Sequence, residues 1–100
     1  MHLDFAGRTA VVTGGTRGIG ERIVDDLERH GASVILTGTD PKVTATLQAV
    51  ADRTSGSNRR YVAVDFRDRG ELSAFSSQLQ KESRIDILIN NAGINRINPI

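Results

Sequence analysis

The residues Thr13-Gly14-Gly15-Thr16-Arg17-Gly18-Ile19-Gly20 follow directly on the apolar run Ala10-Val11-Val12 and open a segment with helical apolar spacing. The chemistry of such a loop is backbone chemistry, because free N–H groups at a helix start meet the charge of a nucleotide pyrophosphate without a basic side chain. Glycines let the main chain turn tightly, bring it within hydrogen-bonding distance of the ligand and, one turn into the helix, allow close helix–strand packing. Gly14, Gly18 and Gly20 fit those three tasks. Their spacing departs from the general G-x-G-x-x-G dinucleotide fingerprint, with three residues after the first glycine and one after the second.

The elements that must position this loop alternate. Thr9 to Thr13 reads as a buried strand of apolar and β-branched residues. A helix from about Gly18 has the expected inward face Ile19, Ile23, Val24 and Leu27, and Gly31 after His30 reads as its left-handed stop. The second strand is Ser33 to Thr37. Asp40-Pro41 then gives an N-cap with proline at the first helical position, and Val43, Leu47 and Val50 form the next apolar stripe, ended by Ser55-Gly56-Ser57-Asn58. The third strand is Tyr61 to Val64. Asp68 and Glu71 make a capping-box-like start for a helix with the face Leu72, Phe75 and Leu79, and Ile85 to Ile89 is the fourth strand. Strict alternation predicts an α/β fold of parallel strands joined by right-handed crossovers. No repeat, low-complexity segment or linker interrupts residues 1–100, which read as one domain.

Composition narrows the function classes. The 100 residues are 38% hydrophobic and 25% charged with a formal net charge of +1, ordinary for a globular domain. Thirteen basic and twelve acidic residues leave no nucleic-acid surface, and the one cluster, Arg59-Arg60, reads as a solvated loop end. The absence of cysteine removes a disulfide framework and a thiolate metal site. His2 and His30 make no metal site alone, and His30 suits the negative end of a helix. Met1 to Arg8 carries an acid and a base where a signal peptide needs an apolar core, and no run reaches transmembrane length, so the expectation is a cytoplasmic protein without a membrane partner.

The chain resembles the short-chain dehydrogenase/reductase family, whose glycine motif reads T-G, three variable residues, G, any residue, G. Four landmarks carry the resemblance in order: Leu3, Gly7 and Ala10 to Thr13 as the opening strand, the glycine loop, Asp65 after the third strand, and Asn90-Asn91-Ala92-Gly93 as the fourth-strand signature. The resemblance covers essentially all of the chain and implies a Rossmann-type doubly wound sheet in the order 3-2-1-4 with helices on both faces. Family members run to roughly two hundred and fifty residues, a usual length for one α/β domain. On that alignment the chain is the N-terminal, cofactor-binding portion, and the family's catalytic serine and Tyr-x-x-x-Lys pair fall past Ile100. No residue present is assigned to catalysis. Tyr61, the only tyrosine, has Asp65 rather than lysine four positions on, which favours cross-strand packing.

The resemblance further implies hydride transfer between a nicotinamide cofactor and a small carbonyl or alcohol substrate, with the cofactor carrying the hydride. Cofactor choice turns on Thr37-Gly38-Thr39-Asp40, where an acidic side chain accepts from the ribose of NAD and repels the extra phosphate of NADP. Gly38 stands where NAD-preferring relatives carry aspartate, and Arg17 holds a basic position common in NADP-preferring ones, so NADP(H) is favoured over NAD(H). Two alternatives stay open: Arg17 as a surface charge, and Asp40 as a ribose ligand rather than an N-cap. The implied cofactor set is Thr13, Gly14, Thr16, Arg17, Gly18, Ile19, Gly20, Thr39, Asp65, Phe66, Asn90, Asn91, Ala92 and Gly93. Asp65 and Phe66 correspond to the family's adenine-contacting pair, and Asn91 is expected partly to brace the backbone near Thr13. A reading of another class is a nucleotide- or partner-binding module without turnover. The fourth strand would be an open apolar edge that invites association, and a longer parent is expected to be a homo-oligomer.

Overall fold

The computed structural model describes residues 4–82 and 84–91. Among the described residues four strands and three helices alternate: β1 (Thr9–Thr13), α1 (Gly18–Arg29), β2 (Ser33–Gly38), α2 (Pro41–Asp52), β3 (Arg59–Ala63), α3 (Arg69–Gln80) and β4 (Ile87–Asn90). All pairings are parallel, in the order β3-β2-β1-β4. Val11 of β1 sits in register between Ile35 of β2 and Leu88 of β4.

Successive strand residues point to opposite faces, and the two resulting sets define two cores. Ala10, Val12, Val34 and Leu36 pack with Val24 and Leu27 of α1 on one face, joined by Ile87, Ile89 and Tyr61. Val11, Ile35 and Val64 pack with Phe75 of α3 on the other, and Phe66 meets Phe75 edge-on at 6.1 Å between ring centroids. The sheet is therefore covered on both sides around β1 and β2, which explains why those strands are continuous apolar runs.

Helix faces differ from the apolar stripes expected from sequence. Ile19 is 72% exposed, because the first turn of α1 stands at the loop end, and the buried face is Gly20, Val24 and Leu27. On α2, Val43 and Val50 are exposed, and the inward stripe is shifted by one position to Thr44, with Leu47 and Gln48 half-buried. Gln48 explains the shift. Its Nε2 donates to Arg59 O at 3.1 Å and its Oε1 accepts from Tyr61 N at 2.7 Å, so one side chain satisfies backbone groups on the outer edge of β3. The strand consequently begins at Arg59, two residues before the expected start.

Arg59 is not a solvated loop end. Its side chain is 18% exposed, and the guanidinium pairs with Glu28 at 2.9 Å and Asp25 at 2.5 Å on α1. Burial penalises the Glu28 charge, but hydrogen bonds from Asn58 N–H, Arg59 and the Ser57 hydroxyl outweigh it and hold its carboxyl below the usual carboxylate range. At the start of β1, Thr9 N donates to Asp86 Oδ2 at 2.9 Å and Asp86 N donates back to Thr9 O, so strand pairing of β4 begins at Ile87 rather than Ile85. Gly31, at φ +102, ends α1 as expected. Glu71 does not complete a capping box on Asp68, because its carboxylate accepts from Asp65 N instead.

Candidate functional site

The loop after β1 is held from beneath by its neighbours on the sheet. Gly14 N donates to Thr37 Oγ1 at 3.0 Å and Gly15 N to Thr37 O at 3.0 Å, so the buried end of β2 fixes one side. The Thr13 hydroxyl donates to Asn90 Oδ1 at 3.0 Å and accepts from Asn91 N at 2.9 Å. Asn91 Nδ2 donates to Gly14 O at 3.2 Å, the bracing expected of it. Gly14 and Gly18 lie at φ +71 and +64, a region that side chains disfavour. A Cβ on Gly20 would run into Gly14 O and stand 2.8 Å from Asn91 Nδ2, so close approach of helix to loop requires its absence.

The three helix starts are not equivalent. Asp40 caps α2, accepting from Lys42 N at 2.8 Å and Val43 N at 3.4 Å, and Asp68 caps α3, accepting from Gly70 N at 2.8 Å and Glu71 N at 3.1 Å. The N-cap of α1 is Arg17, in extended conformation, with no side-chain cap bond. The opening amides of α1 thus present the positive end of the helix without an acceptor from their N-cap side chain.

A cavity of 600 Å³ opens beside that helix start, within the range of small-ligand sites. It is lined by Gly14, Thr16 and Arg17 of the loop, by Thr37, Gly38 and Thr39 at the end of β2, by Asp40 with Val43 and Thr44 of α2, and by Val64, Phe66 and Asn91. Of the residues singled out from sequence, Gly14, Thr16, Arg17, Thr39, Phe66 and Asn91 line it. Thr13 and Asn90 lie under the loop, and Gly18, Ile19 and Gly20 form the adjoining helix start. Ala92 and Gly93 lie outside the described residues.

Asp65 is not part of the lining. Its carboxylate takes three bonds of 3.0 Å from Arg67, through N, Nε and Nη2. The Arg67 guanidinium, and next its backbone N–H, hold the Asp65 carboxyl below the usual range. Five lining residues were not singled out as ligands from sequence: Thr37, Gly38, Val43, Thr44 and Val64. Their signal was available only as proximity in the chain, the first four to Thr39 and Val64 to Phe66.

Two charges face the cavity. Arg17 is exposed and has no ion pair among the described residues, while Asp40 is committed through Oδ1 to the α2 amides. Among the described residues no helix is long and apolar enough to cross a membrane.

A parallel sheet in the order 3-2-1-4, with a glycine loop joining its first strand to an uncapped helix, defines a Rossmann-type α/β protein. The chain belongs to the short chain dehydrogenase family, whose model matches residues 8–100. It is 42% identical over 96 residues to oxidoreductase UcpA of Escherichia coli (strain K12), an alignment covering 93% of this chain and 35% of UcpA. It is 36% identical over 97 residues to the 3-oxoacyl-[acyl-carrier-protein] reductase FabG of the same organism, covering 96% of this chain and 38% of FabG. Among solved structures it resembles a Pseudomonas aeruginosa RhlG/NADP active-site complex with a TM-score of 0.77 and 33% identity, over 92% of this chain and 37% of that one. The chain spans a little over a third of the length of the curated relatives it matches.

Proposed function

We propose that this chain is the cofactor-binding portion of a short-chain dehydrogenase/reductase that transfers hydride between NADP(H) and a small carbonyl or alcohol substrate. The observation that carries the cofactor reading is the contrast between helix starts: two are closed by aspartates, and the third, behind three glycines, is left open beside the cavity. The opening amides of Gly18, Ile19 and Gly20 bind the diphosphate, and Gly14 lets the backbone approach it. Thr16, Thr39 and Phe66 line the adenosine side, with Asp65 meeting adenine once Arg67 yields it. Asn90 and Asn91 hold the loop through Thr13 and Gly14, and Ala92 and Gly93, outside the described residues, are assigned to the cofactor by the family resemblance alone. When bound, the nicotinamide ring supplies or accepts the hydride, and this chain's residues orient it.

NADP(H) over NAD(H) rests on Arg17 and on the bare backbone at Gly38. A guanidinium with no ion pair among the described residues, beside the cavity, matches a 2′-phosphate, and no side chain at position 38 repels one. A charge-assisted bond of this kind corresponds to roughly tenfold to a hundredfold in affinity. Fluorescence titration with NADPH and NADH, on wild type and Arg17→Glu, tests it. NADPH is expected to bind more tightly, and the charge reversal to abolish the difference; equal affinities unchanged by the reversal refute the preference.

A further inference from the structure

The end of β2 carries a constraint that cofactor charge alone does not explain. Gly38 has no left-handed backbone angle, so its conformation accepts any side chain, and only space decides what stands there. A Cβ at this position would lie 2.6 Å from Thr16 Cγ2, 3.1 Å from Thr44 Cγ2 and 3.2 Å from Thr16 Oγ1. Real Cβ contacts of that first length essentially never occur, so Thr16 must move for even alanine to fit. Thr44 is 5% exposed, and its hydroxyl donates to Pro41 O at 3.0 Å. That bond, with the stiffness of a β-branched side chain, sets the rotamer that aims the methyl at Gly38.

We propose that Thr16 and Thr44 are specificity-determining residues: their methyl groups close over Gly38, exclude a carboxylate from the end of β2, and so keep the cavity from taking a cofactor with a free ribose diol. The proposal rests on the cofactor reading above. An acidic residue about twenty positions beyond the glycine loop is what binds that diol in dinucleotide folds. Here the two threonines, one in the loop and one in α2, decide whether such a residue can be housed. The lock is steric and lies in neither charged group of the cavity. Adding an aspartate alone therefore brings overpacking before it brings recognition.

The test uses the whole polypeptide in which this chain occurs, with methyl deletions Thr16→Ser and Thr44→Ser that keep both hydroxyls. Gly38→Ala is expected to lower the melting temperature by roughly 4–8 °C in the threonine background, and by less than half as much in the double-serine background. Gly38→Asp alone is expected to lose NADPH affinity without gaining NADH. In the double-serine background the same change is expected to raise NADH affinity by at least about tenfold over Gly38→Asp alone, the factor for one good ribose contact. Equal melting losses in the two backgrounds overturn the proposal, as does equal NADH binding by Gly38→Asp in both. If wild type binds neither nucleotide while the melting losses differ between backgrounds, the cofactor reading and the selection fail together, and only the packing contact survives.

Discussion

Gly20 is the residue at which helix α1, the glycine loop and Asn91, just after β4, meet, and replacing it with alanine sets two effects against each other. Inside a helix the added methyl favours folding by about 0.5–1 kcal/mol. Here it would run into Gly14 O and press on Asn91 Nδ2, which donates to that same carbonyl at 3.2 Å. Overpacking of this kind costs about 1–3 kcal/mol, and loss of the Asn91 bond about 0.5–1.5 kcal/mol more. The collision is with backbone, which cannot swing aside as a long side chain does, so the steric effect wins and the net loss is about 2 kcal/mol. For a domain of 100 residues that corresponds to a fall in melting temperature of roughly 8–16 °C. Gly70→Ala supplies the comparison, since that glycine is also helical but meets only Asp68 Oδ1, at 3.2 Å. Thermal melts followed by circular dichroism are expected to show Gly20→Ala well below wild type and Gly70→Ala within a few degrees of it. Nucleotide titration is expected to show more than a tenfold loss for Gly20→Ala only. A Gly20→Ala protein that melts at or above wild type would refute the claim that close approach, rather than helix propensity, places glycine there.

Two further outcomes concern the opposite end of the sheet. Glu28→Gln removes the anion that faces Arg59 Nε and receives Ser57 and Asn58, leaving a largely buried guanidinium with Asp25 as its one anion among the described residues, beside the Tyr61 hydroxyl. Denaturant unfolding is expected to show a loss of about 1–3 kcal/mol, with nucleotide affinity unchanged; a change below a few tenths of a kcal/mol would contradict the role given to this network. Asp86 is held below the usual carboxylate range first by the Thr9 N–H, against the opposing effect of burial, and then by Arg84. A depressed carboxylate contributes stability that is present above its unfolded pKa of about 4 and lost as pH falls through the folded value. Melting of Asp86→Asn and wild type across acid pH is therefore expected to show a gap that narrows below about pH 4, and a gap independent of pH would remove the charge from the argument.

What the sequence discloses here is whatever is local or periodic. Asp40 before Pro41 announces its own cap, since both bonds it accepts lie within three residues. The strand order follows from alternation and from the resemblance of the glycine loop and Asn90-Asn91. The Arg59 network is hidden because its partners, Asp25 and Glu28, lie 34 and 31 positions away, and a pair of arginines carries no mark of burial. Gln48 defeats apolar counting in the same way: a polar residue faces inward because two backbone groups of an edge strand need it. Asp65 was legible as a strand-end carboxylate but not as the partner of Arg67, a choice between neighbours that spacing does not decide.

These placements divide α1 between two tasks. Its C-terminal half is tied to β3 through Asp25 and Glu28, and the residue after it receives Phe5 N at 2.7 Å. Its N-terminal turn has no ion pair to the sheet among the described residues, and its N-cap side chain makes no bond to the opening amides. An uncapped start is unfavourable by about 1 kcal/mol relative to the aspartate caps on α2 and α3. That loss is tolerable because the helix is oriented from its other end and the loop is pinned separately by Thr37 and Asn91. On the proposed cofactor reading, stability and binding thus draw on different residues of one helix, which is why Glu28→Gln is expected to alter only the first. Gly20 is where the division fails, since its backbone packs the helix onto Gly14 and lies in the turn proposed to meet the diphosphate.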